Sequence, residues 1–446
     1  MNFLIIIPPY VIKRGKGVTP NKAMVPTGPL MMATLLREGG HEVIVKDLTF
    51  TPNWQEEILG LQKPDVVLLS CHTVRNIESC KAVLICLNEA WNKLPYSVLG
   101  GNSCLELGTG DFRKRGIEVD AVVRGFGHDD SIIDGIISKT PGDLSSTCIS
   151  PSLPLPSLDL LDAPTHKSYL RASDGKYPIY GHGIGCKWRC KYCSANMATG
   201  WQARSTKEVE IEVEMAVQYG YNHLWCVDNL LLLDEQTAGF DRIARKHKMT
   251  WSGMTRSEIV VKNASIFAKL NALTEMALGV EAVEEKTLSD LRRGRLKSYT
   301  RTVRDAFGVL EQANVKSTAF IILDLPETAD AQFWNLLEFL NELRPSSVSW
   351  AFYVPPAEEA DPKQHGFYNW PLGMSKLSAK KVVQQAMVIS AVYWLGWQLE
   401  SYRPFFTNGN SFGIRCKEGN IFQQKDTKSP IGDIWEVWYQ NERRRK

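Results

Sequence analysis

Three cysteines stand in the run Gly185-Cys186-Lys187-Trp188-Arg189-Cys190-Lys191-Tyr192-Cys193, a C-x3-C-x2-C spacing. Thiolates are the usual ligands of iron–sulfur clusters, and a four-iron cluster closed by four of them moves electrons. Three thiolates leave one iron with an open position, where a chelating molecule can bind and react. A structural zinc site is the competing chemistry, but it closes with four ligands, commonly in paired C-x2-C or His arrangements. The sequence has no second pair of that kind. His182 can complete a zinc set, yet Gly181-His182-Gly183-Ile184-Gly185 reads better as a turn that brings backbone close to a cluster.

The elements around this loop form an α/β pattern. In the first 148 residues, the continuous apolar run Phe3 to Ile7 and the segments His41 to Leu48, Asp65 to Ser70, Tyr96 to Gly101 and Ala121 to Gly127 read as parallel strands. Helical segments at Gly28 to Gly39 and Asn76 to Asn92 lie between them, giving a doubly wound, flavodoxin or Rossmann-like domain. Ligands of such sheets bind beyond the carboxyl ends of the strands. Those ends carry Pro8-Pro9-Tyr10, Ser70-Cys71-His72-Thr73, Gly100-Gly101-Asn102 and Gly125-Phe126-Gly127, small and hydroxyl residues that suit a large cofactor lying against backbone.

Residues 149–165 hold four prolines and mark a linker. From 166 to 360 the chain reads as repeated βα units, with a helix at Thr206 to Gln218 and strands at His223 to Asn229, Thr250 to Arg256, Met276 to Glu281, Ser317 to Leu325 and Ser347 to Val354. That repetition predicts a full or partial TIM-type barrel. Residues 361–446 carry Trp370, Trp394, Trp397, Trp435 and Trp438 and a helical stretch from Leu377 to Leu395, read as a small cap. The turn-rich run Asn408 to Gly413 is placed to cover the site.

Composition narrows the class. The 446 residues are 44% hydrophobic and 23% charged with a net charge of +3, which argues neither for nucleic acid nor for a membrane surface. The apolar start, Phe3 to Ile7, lacks a basic lead and reads as a buried strand rather than a signal peptide. Ten cysteines, three of them in one motif and the rest scattered, fit a reducing cytoplasm better than a disulfide framework.

The cysteine spacing, with Tyr192 directly before Cys193, resembles the radical SAM superfamily. That resemblance implies a 4Fe-4S cluster on Cys186, Cys190 and Cys193. It also implies S-adenosylmethionine (SAM) held by the open iron and reductively cleaved to a hydrogen-abstracting 5′-deoxyadenosyl radical. Tyr192, Asp228, Arg256 and Glu281 match SAM-binding positions, the last within Gly279-Val280-Glu281 and followed by Leu288 and Arg292-Arg293-Gly294. The turn Leu323-Asp324-Leu325-Pro326-Glu327 resembles the family's G-x-P-G-E turn but has Asp324 and lacks the second Gly.

The strand ends of the first domain, and the piece from Leu153 to Asp162, resemble the cobalamin-binding domain and linker that precede many radical SAM domains. By that resemblance Pro9, Tyr10, Ser70, His72, Thr73, Gly100, Gly101, Asn102, Gly125 and Gly127 face cobalamin. The loop after the first strand, Pro9 to Gly15, lacks the His of the D-x-H-x-x-G motif, which leaves the lower axial position open; His72 can reach under cobalt. The implied activity is C-methylation of an unactivated carbon, for instance of a peptide or protein residue such as one in methyl-coenzyme M reductase. An external electron donor such as flavodoxin or ferredoxin goes with it. Cyclisation or ring contraction of natural products and tetrapyrroles is the alternative. A non-catalytic cobalamin or SAM sensor is the reading of another class, disfavoured because a sensor gains nothing from an oxygen-labile open iron. The tRNA methylthiotransferases place three further cluster cysteines at strand ends. Here Cys71 and Cys104 lie near strand ends and Cys80 and Cys86 in a helix, which suits buried free thiols.

Overall fold

The computed structural model describes residues 1–13, 15–20, 22–72, 75–125, 127, 129–146, 152–193, 200–293, 299–326, 328–353, 375–394, 415–416 and 419–420. They fall into two compact units that divide after Met276.

The first unit opens with a parallel sheet. Its strands are β1 (Asn2–Ile7), β2 (Glu42–Asp47), β3 (Val66–Ser70), β4 (Tyr96–Gly100), β5 (Ala121–Arg124) and β6 (Gly142–Ser145), in the order β2-β1-β3-β4-β5-β6. The first five follow the flavodoxin-like order, and β6 adds an edge strand that the sequence reading did not anticipate. Its four residues alternate half-buried, exposed, buried and exposed, so only Leu144 enters the core and the apolar signal is weak. The central strands are apolar throughout because helices cover both faces; β3 pairs Ser70 with Gly100 of β4, which aligns their carboxyl ends. Phe3, Ile5, Val66, Leu68, Val98 and Val123 form one face of the core with Ala33 and Leu36 of helix α1 (Thr27–Glu38).

The proline-rich connection is pinned rather than loose. Thr34 of α1 hydrogen-bonds the Leu155 carbonyl and lies 2.6 Å from Ser157 Oγ, while Arg37 reaches Asp159 at 2.6 Å. Helix α2 (Ala163–Ala172) then starts on an Asp162 cap, and its buried Tyr169 donates to Asp47 at 2.7 Å.

Strand β7 (Lys176–Ile179) follows and begins the second sheet. Within the first unit its order is β7-β10-β11, where β10 is His223–Cys226 and β11 is Thr250–Thr255, both parallel to their neighbours. Between β7 and β10 lies a feature that the sequence reading took as a turn. Gly183–Cys186 is a strand, β8, paired antiparallel with β9 (Gly200–Ala203). A Cβ on Gly183 would stand 2.6 Å from both Gln202 O and the Trp201 ring, so the glycine lets the indole lie on the backbone. The partner strand is fourteen residues downstream of β8, beyond the reach of local turn signals.

Strand β12 (Leu273–Glu281) runs from the first unit into the second. The second unit holds its later residues, then β13 (Lys316–Leu323) parallel to β14 (Ser347–Phe352), with the helix Ala379–Trp394 packed on both. The five strands predicted between His223 and Val354 are thus found with their ends within three residues of those expected. Of the predicted cap, Trp370, Trp397, Trp435, Trp438 and the run 408–413 lie outside the described residues. Among the described residues, no helix is long and apolar enough to cross a membrane.

Candidate radical SAM site

The cysteine loop hangs from the β8–β9 hairpin. Cys186 ends β8 half-buried, Cys190 is 6% exposed, and Cys193 is exposed, its N–H donating to the Cys190 carbonyl at 3.2 Å. Tyr192 is half-buried between them. One turn of loop therefore presents the three sulfurs at graded depths, the middle one deepest.

The hairpin is anchored from behind by Asp228. Its carboxylate is fully buried two residues past β10 and accepts three backbone N–H bonds, from Gly181 (2.9 Å), His182 (2.9 Å) and Gly183 (2.7 Å). Burial pushes its pKa up, against the three donors that pull it down. Both oxygens are spent on the backbone that leads into the strand carrying Cys186, so the contacts of Asp228 are those of a positioning group. His182, which the zinc reading offers as a fourth ligand, directs Nε2 to Asp234 at 2.9 Å. Burial acts to raise the Asp234 pKa, but its bonds to His182, Thr237 and Gln236 outweigh that and hold it below the usual range.

Arg204, directly after β9, ties the far end of the hairpin. Its Nη1 donates to Glu212 (2.7 Å) and to Tyr180 O (2.7 Å), and both side chains of the ion pair are fully buried. Tyr177 completes this set by donating to the other Glu212 oxygen at 3.1 Å. Sequence reading passed over Arg204 and Glu212, although a charged residue at a helical position facing the core is itself a signal.

Arg256 lies against the cysteine loop. It is 4% exposed, its Nη1 donates to Cys190 Sγ at 3.4 Å and its Nη2 to Glu258 at 2.6 Å. The guanidinium carbon sits 4.0 Å from the ring centroid of Trp188, the residue midway between Cys186 and Cys190. Trp188 and Glu258 were not singled out from sequence; the aromatic in the C-x-W-x-C interval and the Arg-x-Glu alternation were the available signals.

Glu281 lies in the second unit, at the end of β12, with a left-handed φ of 55° and 5% exposure. Its Oε2 is 3.3 Å from Arg293 Nε and 3.4 Å from the Tyr299 hydroxyl, and both partners also donate to the Gly279 carbonyl, at 2.9 and 2.7 Å. The Gly-x-Glu pattern has a steric cause: a Cβ on Gly279 would stand 2.4 Å from Glu281 Oε1. A non-glycine residue held in the left-handed region is a strain that surrounding contacts must maintain, and such positions concentrate at ligand sites.

At the first sheet, Pro9 is buried, Tyr10, Ser70, Gly100, Gly125 and Gly127 are half-buried, and His72, Gly101 and Asn102 are exposed. Thr73 lies outside the described residues. Gly101 has φ 118°, and a Cβ there would meet Cys71 O at 2.7 Å, so this crossing of two strand-end loops admits only glycine. Beneath it Cys71, Cys80 and Cys104 are buried, and the neighbouring Cys104 and Cys80 thiols hold the Cys71 pKa well below its ordinary value. Their gathering was not visible from a sequence that places Cys71 and Cys104 near strand ends and Cys80 in a helix.

A parallel α/β chain with three cysteines at and just beyond the end of β8, one of them facing a buried guanidinium, has residues suited to an iron–sulfur cluster. Residues 180–340 match the family model of the radical SAM superfamily and are a radical SAM domain. The chain is 25% identical over 392 residues to the anaerobic magnesium-protoporphyrin IX monomethyl ester cyclase of Synechocystis sp., a match covering 80% of this chain and 75% of that protein. It is 26% identical over 295 residues to the hopanoid C-3 methylase of Methylococcus capsulatus, covering 60% of this chain and 55% of the methylase. Among solved structures, the radical SAM methyltransferase TsrM from Kitasatospora setae, with cobalamin and a 4Fe-4S cluster bound, superposes with a TM-score of 0.60 at 12% identity, over 79% of this chain and 72% of its own. At that identity the likeness is one of fold.

Proposed function

We propose that this radical SAM enzyme is a cobalamin-dependent C-methyltransferase acting on an unactivated carbon. The observation that carries the reading is that one unit of the chain holds both the cysteine loop and the open carboxyl edge of a flavodoxin-like sheet. The residues suit the groups. Cys186, Cys190 and Cys193 would hold the cluster, and the buried cation bonded to Cys190 matches an anionic sulfur ligand better than a neutral thiol. Ser70, His72, Gly100, Gly101 and Asn102 offer an edge of backbone and short side chains on which a large flat corrin can lie, as TsrM supports by its bound cobalamin. Tyr192 and Arg256 of the first unit remain side chains proposed to meet SAM, while Asp228 acts on it through the hairpin.

When bound, the cluster and SAM supply a hydrogen-abstracting carbon radical and cobalamin supplies a transferable methyl group. The chain's own work is positional. Asp228 and the Arg204–Glu212 pair fix the hairpin, Arg293 and Tyr299 fix Glu281, and the buried setting keeps water from a reactive radical. No general acid or base is needed for hydrogen abstraction, which agrees with the structural use of the buried ionisable groups around the loop. A one-electron donor of the flavodoxin or ferredoxin class and a location in the cytoplasm belong to this proposal.

Cyclisation is the second reading, favoured by the longer alignment with the Synechocystis cyclase. Incubating the reduced holoenzyme with methyl-labelled SAM and candidate peptides or tetrapyrrole esters separates the two. Label retained on substrate carbon together with 5′-deoxyadenosine supports methylation. Deoxyadenosine with unlabelled, ring-closed product supports cyclisation and rejects it.

A further inference from the structure

Arg256 makes contacts that a role in holding a SAM carboxylate does not account for. Its Nη1 points at a cluster-ligand sulfur, its Nη2 at Glu258, and its flat face at Trp188. Three different partners therefore fix one guanidinium, and two of them, Cys190 and Trp188, come from the cysteine loop itself. Burying a guanidinium costs several kcal/mol unless it is paired and hydrogen-bonded. Glu258, 19% exposed in its side chain, offsets part of that cost on one edge. The other edge meets the Cys190 sulfur, and a thiolate bound to iron carries negative charge there.

We infer that Arg256 is a positioning residue that sets the reduction potential of the cluster. Its Nη1–H bond to Cys190 Sγ stabilises the reduced cluster, and the Trp188 ring under the guanidinium holds it in register for that bond. The inference rests on the assignment of Cys186, Cys190 and Cys193 as cluster ligands. The step it governs is a one-electron transfer: a flavodoxin- or ferredoxin-class donor loses one electron, the cluster gains it, and no bond forms or breaks. A hydrogen bond and a nearby cation at a ligating sulfur both favour the more negative, reduced state. Glu258 works in the opposite direction, because its carboxylate disfavours added negative charge and draws the guanidinium toward itself. The pair thus brackets the potential, and each member has a sign.

The test is the midpoint potential of the cluster, followed by electron paramagnetic resonance on anaerobically reconstituted full-length chain with iron content measured alongside. Compared with wild type at a fixed solution potential, Arg256→Gln lowers the ratio of reduced to oxidised cluster about tenfold, which for one electron is about 59 mV. Arg256→Lys, which keeps the charge but loses the planar fork, lowers it less. Glu258→Gln raises it. A purely structural role for Arg256 predicts lost iron rather than opposite shifts at full iron loading. Fully loaded Arg256→Gln and Glu258→Gln proteins with the wild-type potential overturn the inference while leaving the cluster assignment intact. Should Arg256→Gln load poorly, the signs of the Arg256→Lys and Glu258→Gln shifts decide. Wild-type chain that takes up no four-iron cluster removes the assignment and the inference together.

Discussion

The two strand-end edges of the first unit are built on different principles. The edge of the first sheet is mostly backbone: glycines at 100 and 101, a loop crossing that excludes any Cβ, and exposed short side chains. The edge beyond β7 is held by buried charges, with Asp228, Arg204, Glu212 and Arg256 each committed to named partners around one cysteine loop. A large planar ligand needs room and many weak contacts, which backbone supplies without selecting strongly at any position. A cluster needs three sulfurs at fixed positions near a fixed charge, and buried ion pairs give that rigidity because breaking them is costly. The first edge should tolerate most single changes except where backbone is crossed, whereas the second should fail at single residues.

The largest effect that separates the edges is expected at Cys190→Ala. Cluster assembly and 5′-deoxyadenosine formation should be lost, while cobalamin binding by the first sheet persists; iron analysis and a corrin spectrum on the same sample check both. Next comes Glu212→Ala, which leaves Arg204 buried without its carboxylate and should cost about 3–5 kcal/mol in denaturant unfolding. Asp228→Ala orphans three backbone donors and should cost about 2–4 kcal/mol, with iron per chain falling because the Cys186 strand loses its anchor. On the first edge, Gly101→Val should cost about 1–3 kcal/mol and release corrin while sparing the cluster, since its Cβ meets Cys71 O. Equal loss of iron in that variant would erase the contrast between the edges.

The smallest effect lies between them, at the linker. The Arg37 bond to Asp159 holds that carboxyl below its ordinary pKa. A depressed carboxyl contributes stability above its unfolded pKa and loses it as pH falls through the folded value. Both groups are about half exposed, so Asp159→Asn should cost only about 0.2–1 kcal/mol near neutral pH, and that difference should vanish in acid; thermal unfolding of both proteins across pH measures it.

Much of this architecture was legible in the sequence because the signals were local. Uninterrupted runs such as Phe3 to Ile7 and Asp65 to Ser70 announce strands covered on both faces, and C-x3-C-x2-C announces the loop. The Gly-x-Glu pattern at 279–281 was read by resemblance, and its steric cause appeared only with Arg293 and Tyr299 in place. What stayed hidden depends on contacts distant in sequence. The β8–β9 hairpin looked like a glycine-rich turn because its partner strand and Asp228 lie well downstream. Arg256 matched a SAM-binding position, yet its observed partners include a sulfur 66 residues earlier. The gathering of Cys71, Cys80 and Cys104 likewise required two helices to be placed on the sheet.

The central claim, that one chain joins a cluster site to a cobalamin-binding sheet, is tested most directly by the metal and corrin content of protein purified without oxygen from cobalamin-supplied cells. About four irons and one corrin per chain are predicted, with the corrin lost in Gly101→Val and the iron lost in Cys190→Ala. Iron at that level with no corrin in the wild-type protein would contradict the account and leave a radical SAM enzyme whose first sheet serves another ligand.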